Sequence, residues 1–70
     1  MKLDNFKKKL LIEAIEDKIK ELETFVSILE KDIVAEENED FWLQLLADRT
    51  AYIDKINSYK ELLNEVKGGE

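Results

Sequence analysis

The sequence predicts an all-α protein: an antiparallel two-helix hairpin, with long helices over about 4–35 and 41–67, pairing into a four-helix bundle. Three observations carry this. Apolar residues recur at spacings of three and four in two separate stretches. A short acidic segment, Glu-Glu-Asn-Glu-Asp, divides the two stretches. The chain has no Pro and only two Gly, at positions 68 and 69, so neither stretch carries an internal helix breaker.

In the first stretch, Ile12, Ile15, Ile19, Leu22, Val26, Leu29 and Ile33 alternate steps of three and four, which places all seven on one stripe of a helix. Glu13, Glu16, Asp17, Lys20, Glu21, Glu23 and Glu30 fill the opposite side. Asp4 or Asn5 is suited to cap the start. Leu3, Phe6, Leu10 and Ala14 line up with one another but are rotated away from the main stripe. Leu3, Phe6 and Leu10 therefore form a candidate second contact surface, for another subunit or for a target, with Lys7, Lys8 and Lys9 beside it. Packing against the other subunit is the expected use.

Residues 36–40 are expected to form an acidic turn. Asn38 tolerates a left-handed conformation, and Asn38 or Asp40 can cap the following helix, whose N-terminus favours acidic groups. With no Gly or Pro in the turn, one continuous helix is the competing arrangement.

The second helix is expected from Phe41 to about Lys67. Its stripe is Trp42, Leu45, Arg49, Tyr52, Ile56, Tyr59, Leu63 and Val66, widened by Leu46, Ile53 and Leu62. Gly68 and Gly69 end it and residues 68–70 form a tail. Folding back at residue 38 brings Val26 opposite Tyr52, Leu22 opposite Ile56, Ile19 opposite Tyr59 and Ile15 opposite Leu63. Residues 1–10 then form a basic amphipathic overhang on a single domain spanning 1–70. Arg49 is the one charged residue on either stripe. It is a candidate register-setting polar residue, or else an Arg whose stem packs while its head reaches a neighbouring carboxylate.

Composition narrows the function classes. The net charge is −6, with residues 1–10 at +3 and the rest at −9, which argues against nucleic-acid binding. Apolar runs are short and interrupted by charge, so no membrane span is expected and a cytoplasmic location follows. There is no His for proton transfer and no Cys nucleophile or thiolate ligand. Ser27 and Ser58 are isolated hydroxyls, and no glycine-rich phosphate loop exists. Glu36, Glu37, Glu39 and Asp40 lack the spacing of a calcium loop. No enzyme, cofactor or metal site is expected.

Interaction is what the pattern leaves. A hairpin buries less than a compact globule of the same length, and chains this short are marginal even when compact. Phe25, Ile28, Val34, Phe41, Leu43 and Leu46 exceed what one neighbouring helix can cover. The two stripes are thus expected to serve both core and self-association, in a homodimer or higher oligomer. The expected function is a small acidic non-enzymatic protein–protein interaction module, a regulator or adaptor with a protein partner. The alternative is a phage- or mobile-element-encoded inhibitor that mimics nucleic acid to block a nucleic-acid-handling host protein. Mimicry calls for carboxylates in rows on one face. Here they interleave with lysines, as in Glu16 and Lys20 or Glu61, Glu65 and Lys67.

Overall fold

A computed structural model describes residues 4–68 as two α-helices, α1 (Asn5–Ala35) and α2 (Glu39–Gly68), packed against each other as a hairpin. The molecule is an elongated rod of 51 × 15 × 12 Å. Its backbone turns back near Asn38, so the continuous-helix alternative does not hold. Leu3, the first member of the expected N-terminal surface, lies outside the described residues, as does Gly69.

Asp4 caps α1. Its Oδ1 accepts the Lys7 N–H at 2.8 Å, and its extended backbone (φ −71°, ψ 165°) is what an N-cap requires. The Lys8 N–H also bonds the Asp4 carbonyl at 2.9 Å. The other end of α1 closes at Glu36, which is extended (φ −78°, ψ 125°) rather than left-handed. Its carboxylate accepts the Asn38 N–H at 3.0 Å.

Asn38 then starts α2. Its Oδ1 accepts the N–H groups of Asp40 (2.9 Å) and Phe41 (3.2 Å), and its carbonyl accepts that of Trp42 (2.9 Å). The connection is therefore shorter than expected, residues 36–38 rather than 36–40. Glu39 and Asp40 belong to the first turn of α2, where their charge complements the helix dipole. Lys67 occupies the last turn and Gly68 is the last helical residue.

The core is narrow. Among the described residues, Ile15, Ile19, Leu22 and Ile56 are buried, with Val26, Tyr52, Tyr59, Leu63 and Val66 packed around them. All four expected cross-helix pairings fall within this cluster. Ile12, Leu29, Ile33 and Leu45 complete the inner stripes as half-buried residues, whereas Trp42 is 38% exposed at the turn end. No polar or charged side chain among the described residues is buried.

Candidate interaction surface

Two unlike edges flank the seam between the helices. On one, α1 carboxylates meet α2 cations: Glu16 with Lys67 at 3.5 Å, Glu23 with Lys60 at 4.0 Å and Glu30 with Arg49 at 3.4 Å. Glu16, Glu23 and Glu30 are one heptad apart, so they lie along a single line beside the core stripe, and not on the face opposite it where the charge pattern put them. Each pair is about half exposed, so each is worth only a few tenths of a kcal/mol up to about 1 kcal/mol. Arg49 sits at this rim with its side chain 38% exposed and its head on Glu30. It is not a buried guanidinium.

The other edge carries no ion pair between helices among the described residues. There Phe25 stacks on Tyr52, with ring centroids 5.8 Å apart and planes 23° from parallel. The inner-stripe pattern gave no hint of this contact, because Phe25 falls one position off the heptad. Two shallow grooves line this edge. One is formed by Leu29, Asp48, Ala51, Tyr52 and Lys55, the other by Asp32, Ala35, Phe41, Gln44 and Leu45 among others.

Large apolar side chains remain on the surface. Val34 (88%), Phe41 (64%) and Leu43 (52%) are exposed around the turn, and Ile28, Phe25 and Leu62 further along the rod. Leu46 is half-buried. At the other end, Phe6 (70%) and Leu10 (50%) are exposed on the first turns of α1. Lys67 reaches back only as far as Glu16, so those first turns run past the end of α2.

Among the described residues, no group of three or more acidic side chains converges to hold a metal ion. No helix there is long and apolar enough to cross a membrane. No family model, curated protein or solved structure matches the chain.

Proposed function

We propose that this protein is a small acidic, non-enzymatic interaction module of the cytoplasm, a regulator or adaptor that works as a pair of hairpins associated into a four-helix bundle. One observation carries the reading. A rod only two helices wide leaves Phe25, Ile28, Phe41 and Leu62 exposed on its surface, large apolar side chains of the kind that mark an interaction face. A second hairpin adds two helices to the narrow core and completes a four-helix bundle. The exposed Phe6 and Leu10, flanked by Lys7 and Lys9, are the surface left for a protein target.

Nucleic-acid mimicry is the weaker reading. Glu16, Glu23 and Glu30 form a regular row of acids along the seam, and each is already paired with a cation of α2. The test is sedimentation equilibrium across a wide concentration range. The expected species has twice the 8.2 kDa chain mass, dissociating only on dilution. A mass of one chain throughout would overturn the reading.

A further inference from the structure

The edge of α2 opposite the ion pairs carries a second pattern. Phe41, Gln44, Asp48, Ala51, Lys55, Ser58 and Leu62 alternate steps of three and four, so they form a second stripe roughly a quarter turn from the core stripe. Asp48 is half-buried and the other six are exposed. Reading outward from Ala51, the stripe is complementary to its own reverse. Acid lies on one side and base on the other, then an uncharged polar residue on each side, then a large apolar residue on each side. Among the described residues, Asp48 and Lys55 make no ion pair within the chain, and Asp48 accepts one hydrogen bond, from the Gln44 amide at 3.1 Å.

We propose that this stripe is the self-association interface, and that a second copy of the chain docks on it antiparallel, about a two-fold axis passing beside Ala51. The proposal rests on the self-associating reading above and specifies the face and direction. An isologous contact brings each residue onto its reflection across the axis. Asp48 then meets Lys55 of the second copy, and Lys55 meets Asp48, so the axis doubles the ion pair. Phe41 (64% exposed) covers Leu62 (41%), and Gln44 faces Ser58. Ala51 at the centre lets the two backbones approach closely, and the groove it shares with Leu29, Tyr52, Asp48 and Lys55 receives the opposing helix.

The charges also fix the direction. Parallel docking would set Asp48 against Asp48 and Lys55 against Lys55, which is repulsive at both points. The opposite edge is a poorer interface, because Glu16, Glu23, Glu30, Lys60 and Lys67 already have partners and would lose water on stacking. On α1, the same axis turns Phe25 and Ile28 toward their counterparts, covering the exposed half of the Phe25–Tyr52 stack. The first turns of α1 run beyond the second copy's turn, so Phe6 and Leu10 stay uncovered in the assembly.

The experiment is a charge swap read by sedimentation. Asp48→Lys and Lys55→Glu are each expected to weaken self-association roughly tenfold or more, since each places like charges together twice per dimer. An equimolar mixture of the two variants restores wild-type affinity, because every contact across the mixed dimer again joins opposite charges. Ala51→Cys, in a chain that has no cysteine of its own, is expected to cross-link on mild oxidation, whereas Asn57→Cys is not. A wild-type dimer indifferent to both reversals, a mixture that fails to recover, or cross-linking at Asn57 instead of Ala51 would overturn this interface while leaving self-association standing. A wild-type monomer at all concentrations would overturn both.

Discussion

Arg49 of α2 reaches Glu30 of α1, with Nη2 3.4 Å from Oε2, at the rim of the helix seam rather than inside it. The pair is one of three along the same edge, and its guanidinium retains solvent. A buried Arg would penalise the loss of its partner by several kcal/mol, whereas a half-exposed one does not. Replacing Arg49 with Leu is therefore expected to change stability by less than about 1 kcal/mol and to leave hairpin and mass unaltered. Chemical denaturation together with light scattering checks both. A changed oligomer mass would restore the register-setting role.

Leu22 and Ile56 behave differently. They are 3% and 6% exposed and belong to the cluster of four residues buried among the described ones, so truncating either removes a large part of the apolar contact that holds the helices together. Leu22→Ala or Ile56→Ala is expected to cost about 2–5 kcal/mol. A chain this small has little reserve, so the loss appears as a large fall in helical ellipticity at room temperature.

The turn depends on Asn38. Its side chain accepts two otherwise unpaired N–H groups at the start of α2. Asn38→Ala leaves both without a protein acceptor and is expected to cost about 1 kcal/mol, whereas Asn38→Asp stays within a few tenths of wild type. Thermal melts of the three proteins side by side check the ranking. Equal melting of the Ala variant and the wild type would show that the turn is held by packing alone.

How much of this was legible in the residues follows from the period of the pattern. The stripes from Ile12 to Ile33 and from Leu45 to Val66 specify helices that must face one another, and the hairpin follows once the chain stops between them. The stop itself was visible only as composition. Asn38 is recognisable as a cap, yet whether the helix began at Glu39 or at Phe41 depended on which neighbouring side chain took the free N–H groups, and this has no sequence period. Spacing places Arg49 on the inner stripe with its head able to reach a neighbouring carboxylate, and in the structure that carboxylate is Glu30. Phe25 lies one position off the main heptad, so the period of the core stripe carries no sign of its stack on Tyr52.

The N-terminal turns are predicted to be separable from self-association. Phe6→Glu combined with Leu10→Glu, both surface changes, is expected to shift the dimer dissociation constant by less than about twofold, since neither residue touches the second hairpin in the proposed register. Sedimentation velocity at matched concentrations measures it. A tenfold weakening would place these residues against the other subunit instead of a target.

The most direct measurement is the mass of the folded protein in solution as a function of concentration, with helicity followed in parallel. The expected result is a helical species of twice 8.2 kDa that loses helix as it dissociates on dilution. A fully helical particle of 8.2 kDa at every concentration would contradict the account, because it would show that two helices suffice to hold this chain.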